Sequence, residues 1–282
     1  MSDALVSFVV PAYNEEALLG SCLAAISAEI SRTGCPAEII VVDNGSGDNT
    51  RGIALAVPGI KVIEEPQRGL VQARQAGCRT AKGNYIANID ADTILVEGWL
   101  QRALAEFAKS PGLIALSGPY IYYDLPAWAR LVAAGFFRGV LVVHLLSRLA
   151  AGAGSVMQGG NFIVSRSGLE SIGGINPDFR FHGEDAELAR RLAKVGKVKF
   201  TFALQALSSG RRLAGEGVFR VLLRYSANYL WIHLFKRPFS TDWLDFRHAA
   251  GMTTVGRPLA ITRPDVQMTK VSPNMLQGNR RW

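Results

Sequence analysis

Tyr85-Ile86-Ala87-Asn88-Ile89-Asp90-Ala91-Asp92 decides how the first half of the chain is read. An apolar run of strand length ends on two aspartates two residues apart. Upstream of it, Gly69 to Lys82 has helical spacing and Ile60 to Ile63 reads as a strand. Glu38 to Val42 is another strand, closed by the polar turn Asp43 to Thr50. Glu15 to Ile30 is helical, with Leu18, Leu19, Leu23 and Ile26 on one face, and Val6 to Val10 opens the series as a buried strand. A β-α-β-α-β-α-β order predicts an α/β class, a Rossmann-like, mostly parallel sheet covered by helices. Ligands of such sheets bind outside the carboxyl ends of the strands. The polar clusters Tyr13 to Glu15, Asp43 to Asp48 and Asp90 to Asp92 fall at those ends.

Downstream, Trp99 to Ala108 predicts a helix and Ile114 to Ile121 a strand. The character changes after Asp124, and no acidic residue occurs from Leu125 to Leu169. Within that span Arg130 to Ala151 is a long apolar stretch carrying Arg138, His144 and Arg148. Gln158 to Ser165 returns to strand-like sequence. Glu184 to Lys194 is a helix closed by Gly196, Val198 to Phe202 a strand, and Val218 to Arg237 a helix whose charges are all basic. The polar tail from about Thr253 predicts loose order. The expected organisation is a first half at 1–115, a second half of the same domain at 116–212, an amphipathic basic helical extension at 213–252, and a tail at 253–282.

The chain has 282 residues, 49% hydrophobic and 19% charged, which excludes global disorder. A formal net charge of +8 favours an acidic partner: nucleotide phosphates, nucleic acid or an anionic membrane. The basic residues do not interleave with stacking aromatics on any nucleic-acid-binding module, so a nucleic-acid partner is not expected. Three cysteines, Cys22, Cys35 and Cys78, with no CxxC spacing, predict neither a disulfide framework nor a zinc site. A reducing, cytoplasmic compartment is the simplest expectation. The first residues lack a basic start and meet Pro11 early, so no signal peptide is expected. No uninterrupted apolar run of membrane-spanning length occurs.

Asp90 and Asp92 at a strand end can share one divalent cation, or a cation and a ribose. A hard cation such as Mg²⁺ or Mn²⁺ takes oxygen ligands and binds phosphates at the same time. The alternative is a solvated turn, where aspartate is common. Five further motifs bear on the choice. Val9-Val10-Pro11-Ala12-Tyr13-Asn14-Glu15-Glu16 closes the first strand, and Val41 to Thr50, with Asp43-Asn44, closes the second. Arg68-Gly69-Leu70 and Arg74 open the helix before the aspartates; Gly159-Gly160-Asn161-Phe162 and Gly183-Glu184-Asp185 follow. With these motifs in register, the chain resembles the family 2 glycosyltransferases over about residues 5 to 212.

The resemblance implies a GT-A fold, a nucleotide-diphosphate sugar donor, UDP-linked by default with GDP open, and a Mn²⁺ or Mg²⁺ cofactor. It implies a nucleotide site made of Pro11, Ala12, Tyr13, Glu15, Asp43, Asn44, Arg74, Asp90, Ala91 and Asp92. Asp92 would ligate the metal, with Asp90 nearer the ribose or a metal-bound water. Asn44 stands where similar enzymes carry a second aspartate, and it offers a donor as well as an acceptor. Gly159, Gly160, Asn161 and Glu184 would line the acceptor side, and Asp185 would be the general base of an inverting displacement. Arg211 and Arg212 could clamp the diphosphate. His182 is read as an exposed loop residue rather than a ligand.

Val218, Leu222, Tyr225, Tyr229 and Ile232 mark one helix face, widened by Phe219, Leu223, Leu230 and Leu234, with Arg220, Arg224 and Asn228 opposite. Such a helix fits either an interfacial anchor or core packing, and Trp128 to Ala151 could be a second anchor. Peripheral attachment to the anionic inner membrane face is expected, with a glycan or lipid-linked acceptor. Gln277 to Trp282 is similar to a processive-synthase signature, but its spacing is one residue too long and a non-processive enzyme is expected. The rival readings are a sugar nucleotidyltransferase, which lacks its glycine-rich basic loop here, and a non-catalytic membrane-associated protein of the same fold.

Overall fold

The computed structural model describes residues 6–151, 156–179 and 183–235, together with 237 and 239, all within one compact unit, Met1–Arg247. The 253–282 tail, the 277–282 motif and His182 lie outside the described residues, as does the end of the 213–252 extension.

A seven-stranded sheet runs in the order β3-β2-β1-β4-β8-β6-β9. Its strands are β1 (Val6–Ala12), β2 (Ala37–Asp43), β3 (Ile60–Glu64), β4 (Tyr85–Ile89), β6 (Leu113–Ser117), β8 (Asn161–Ser165) and β9 (Lys197–Phe200). The first four are parallel, as the β-α alternation predicts. β8 lies antiparallel between β4 and β6, while β6 and β9 are parallel. The sheet therefore crosses the expected division at residues 115 and 116 without a break.

The helices α1 (Leu19–Thr33), α2 (Thr50–Leu55), α3 (Leu70–Thr80) and α4 (Trp99–Lys109) cover the parallel part. α1 begins four residues later than its periodicity suggests. Asn14 takes a positive φ of 50°, and the Glu15 carbonyl accepts from the amides of Leu18 and Leu19. This tight turn keeps residues 13–15 over the end of the sheet. α3 packs close because Gly77 has no side chain: a Cβ there would lie 2.2 Å from a Val9 methyl. Buried Glu29 accepts from the amides of Gly98 and Leu100, which satisfies the N-terminus of α4.

The expected strand from Ile114 to Ile121 is broken. Gly118-Pro119 turns the chain out of the main sheet, because proline has no amide to continue a ladder. Its second half, β7 (Tyr120–Tyr122), joins a small sheet ordered β5-β10-β7, with β5 at Thr93–Leu95 and β10 at Ala206–Ser208. Those two short strands carry too little pattern to be found by periodicity. The remaining helices are α5 (Ala127–Ala151), α6 (Arg166–Ser171), α7 (Glu184–Leu192), α8 (Arg211–Glu216) and α9 (Val218–Phe235).

The structure corrects the expected outer face of α9. Val218, Val221, Leu222 and Ile232 are core, and Asn228 is buried among them. The exposed apolar stripe is Phe219, Leu223, Leu230 and Leu234. Among the described side chains of α5, residues 127–146, only Ala129, Ala133, Phe137 and His144 are buried, and Trp128, Leu131, Val142, Leu145 and Leu146 face outward. Ala127–Leu146 is long and apolar enough to cross a membrane by length and composition, although Arg130, Arg138 and His144 interrupt it.

Candidate active site

The ends of β1, β2 and β4, the start of α7 and the inner sides of α5 and α9 enclose one cavity of about 970 Å³. Pro11, Ala12, Tyr13, Glu15, Asn44 and Arg74 line it, as do Asp90, Ala91 and Asp92. Gly159, Gly160, Glu184, Asp185, Arg211 and Arg212 line it too. Residues that the sequence places in two groups, donor side and acceptor side, thus open on the same space.

Arg74 joins the two groups. It projects from α3 and is 2% exposed. One terminal nitrogen donates to Asp90 Oδ1 at 2.8 Å, and the other donates to Glu184 Oε1 at 2.7 Å. A planar guanidinium suits this bridge because its donors point in fixed directions. Gly159 and Gly160 lie against the bridge. A Cβ on Gly160 would fall 2.0 Å from Asp90 Oδ2, and one on Gly159 would fall 3.1 Å from Glu184 Oε1. Tyr120, brought in by β7, places its hydroxyl 3.5 Å from Asp90 Oδ2.

Asp92 sits opposite Arg211, whose guanidinium donates to Asp92 Oδ2 at 3.1 Å and to Glu15 through both terminal nitrogens. The turn before α8 is held by Asp124, which accepts from the Ser209 hydroxyl and the Gly210 amide. Burial pushes the Asp92 carboxyl up to about 7, aided by the charges of Asp90 and Glu15 and opposed by Arg211. Glu184 is likewise pushed up to about 7, by burial and by the charge of Asp185, against the pull of Arg74. Burial also raises Asp185, although the Ala186 amide donates to its Oδ1 at 2.8 Å. Arg212 points its guanidinium to the Tyr225 hydroxyl, 3.5 Å away.

Three expected site residues have other work. Asn161 is fully buried and lines no part of the cavity: its Oδ1 accepts from the Trp99 indole at 2.9 Å, and its Nδ2 donates to the carbonyls of Gly118 and Leu204. It pins β8 to the corner where the chain leaves the main sheet. Asn44 lines the cavity, but its Nδ2 donates to the carbonyls of Glu65 and Gln67 and its Oδ1 accepts from the Gly69 amide. The amide that seemed free to read a base is spent on the 65–69 loop. Asp43 is buried below, accepting from the Ser46 amide. The residues that reasoning from sequence missed include Gln67, Arg68 and Tyr120. Arg68 lies 4.0 Å above the Tyr13 ring, a cation–π contact. The Arg68-Gly69 start of α3 was the one available signal for it.

A divalent cation fits the donor set. Asp90 and Asp92 supply hard carboxylate oxygens, and a buried carboxylate raised by neighbouring acids gains from an added cation. Among the described residues no group of three or more His, Cys, Asp or Glu could hold a metal alone. The remaining ligands would come from a diphosphate and water.

Comparison with known proteins bears on the family and the fold. Glycosyltransferase AglE of Haloferax volcanii is 33% identical over 105 residues, 36% of this chain and 34% of that protein. The UDP-Glc:α-D-GlcNAc-diphosphoundecaprenol β-1,3-glucosyltransferase WfgD of Escherichia coli is 31% identical over 113 residues, 39% of this chain and 44% of that protein. These alignments span less than half of either relative. The solved mannosyltransferase PcManGT from Pyrobaculum calidifontis, in complex with GDP-Man and Mn²⁺, superposes with a TM-score of 0.63 at 24% identity, covering 82% of this chain and 63% of that one. At that identity the likeness speaks for the fold, and the GT-A fold is the one observed here. The family model described as glycosyl transferase family 2 matches residues 7–173, more than half of the chain, and the protein belongs to that family.

Proposed function

We propose that the protein is an inverting, metal-dependent glycosyltransferase. It moves one sugar from a nucleotide-diphosphate donor to an acceptor hydroxyl, on a glycan or a lipid-linked glycan at the anionic inner face of a membrane. The observation that carries this reading is the shared cavity: Asp92 and Asp185 both line it, and Arg74 ties Asp90 to Glu184 across it.

The nucleotide lies along Pro11–Tyr13 and the 65–69 loop, with Arg68 and Tyr13 against the base. UDP is the first candidate and GDP the second. Asp90 and Asp92 hold Mn²⁺ or Mg²⁺, which when bound neutralises charge on the departing diphosphate. Arg211, 3.1 Å from Asp92, would take up part of that diphosphate. Asp185 removes the proton from the acceptor hydroxyl, at the start of α7, where the helix end favours its charged form. Glu184, held by Arg74, orients the acceptor beside it. The small residues Gly159 and Gly160 let the acceptor approach.

The test is Asp185→Asn assayed with a panel of UDP- and GDP-sugars and Mn²⁺. Transfer should fall about 10²- to 10⁴-fold, the usual weight of a general base, while the Kd for UDP with Mn²⁺ stays unchanged. For the wild type, kcat/KM should rise with pH along an acid limb lying above the ordinary aspartate range, because burial raises Asp185 and only its ionised form accepts a proton. Asp92→Asn should lose both transfer and Mn²⁺-dependent nucleotide binding. Full transfer by either variant would defeat the assignment.

A further inference from the structure

The cavity of about 970 Å³ has apolar as well as charged walls. Its charge is gathered at the donor end, residues 11–15, 67–74 and 90–92, and at the starts of α7 and α8. The walls that α5 and α9 supply are different. Phe136, Phe137, Val140 and Val143 of α5 face Tyr229 and Leu230 of α9, and all six line the same continuous space. Sugar hydroxyls need hydrogen-bond partners; of these six side chains Tyr229 alone carries a polar group, and the neighbouring Ser226 and Asn228 donate to the Leu222 and Arg224 carbonyls of their own helix. Val143 is 41% exposed and Leu230 60% exposed, so the apolar branch reaches the surface. There it meets the outward stripes of both helices, with Leu131 at 72% and Leu223 at 70% exposure.

Charge selects the occupant. α5 and α9 contain no acidic residue, while Arg130, Arg138 and Arg220 are exposed along them and Arg212 stands inside the cavity beside Tyr225. An apolar channel with a basic surround is complementary to an amphiphile that has a long hydrocarbon chain and a phosphorylated head. The geometry points to a lipid-linked acceptor whose chain lies between α5 and α9, with its anionic head turned toward Arg212 and its sugar toward Asp185. This rests on the glycosyltransferase reading above and selects the lipid from the two acceptor classes it leaves open.

The experiment measures binding of tetradecyl phosphate and butyl phosphate to the full chain by calorimetry, below the micellar concentration. Ten additional methylenes entering an apolar branch should strengthen binding about 100-fold or more. Val143→Trp fills the branch and Leu230→Glu places a negative charge at its mouth. Both positions are exposed, so both variants should keep the wild-type Tm and bind tetradecyl phosphate at least 10-fold more weakly. Equal affinity for the two phosphates, as expected if another part of the chain covers the branch, would overturn the proposal. Undiminished binding in the two variants would overturn it as well, and if neither variant folds, the wild-type comparison decides alone. Wild-type binding of UDP with Mn²⁺ is measured alongside. Its absence beside normal tetradecyl phosphate binding counts against the nucleotide-sugar reading and leaves the lipid site standing.

Discussion

Replacing Arg74 by methionine probes the link on which the site geometry depends. The side chain is buried and makes two charged hydrogen bonds, 2.8 Å to Asp90 and 2.7 Å to Glu184. Methionine keeps much of the volume but leaves both carboxylates facing the cavity without their shared cation. Breaking a buried pair by removing one partner costs about 3–5 kcal/mol, against about 0–1 kcal/mol for an exposed pair. At roughly 2–4 °C per kcal/mol for a domain of this size, Tm should fall by about 6–20 °C. Urea denaturation at neutral pH reads the same loss. The pH dependence supplies an independent check. Glu184 is raised in the folded state to about 7 from 4.5. The folded protein therefore holds that proton between the two values, and the stability it contributes is full below 4.5 and lost as pH rises through about 7. Without Arg74 the Glu184 carboxyl resists ionisation more, so the deficit of the variant should narrow as pH falls toward 5. Arg74→Met combined with Glu184→Gln should lose less than the single variant. A loss below about 1 kcal/mol, the worth of a solvated pair, with no pH dependence would refute the bridge.

Gly160→Ala should abolish transfer, because its new methyl would fall on the Asp90 carboxylate; calorimetry with UDP and Mn²⁺ should show at least a tenfold weaker Kd, and wild-type binding would sink the proposed metal site. Asn161→Ala should destabilise the fold by about 1–3 kcal/mol through the orphaned carbonyls and indole, with little change in acceptor KM. A selective KM effect at unchanged Tm would restore Asn161 to the acceptor site. In flotation assays the wild type should rise with vesicles containing anionic lipid and stay behind with neutral ones, and Leu131→Glu with Leu223→Glu should release it. Equal flotation of that double variant would show that the exposed stripes of α5 and α9 do not mediate attachment.

Much of this protein was legible from residue order. The parallel strands β1 to β4 follow from apolar runs of strand length, and the cavity follows from polar clusters at their carboxyl ends. That inference works because side-chain period and strand direction are local properties. Asp90, Asp92, Glu184 and Asp185 line one cavity, although about ninety residues separate the two pairs.

Other features were decided only by long-range contact. Asn44 and Asn161 have the same chemistry as binding residues, and nothing in their neighbourhoods reveals that distant carbonyls consume their amides. The break at Gly118-Pro119 depends on β10 being present to pair with β7. The two faces of α9 are both apolar, so composition could not tell core from surface; packing against α5, α7 and α8 buried Val218, Leu222 and Ile232 and left Leu223 and Leu230 outside. Residue order determines which groups can do chemistry, because reactivity belongs to the side chain. Tertiary structure determines which of them remain available, because hydrogen-bond capacity and surface are finite and the fold claims its share of both.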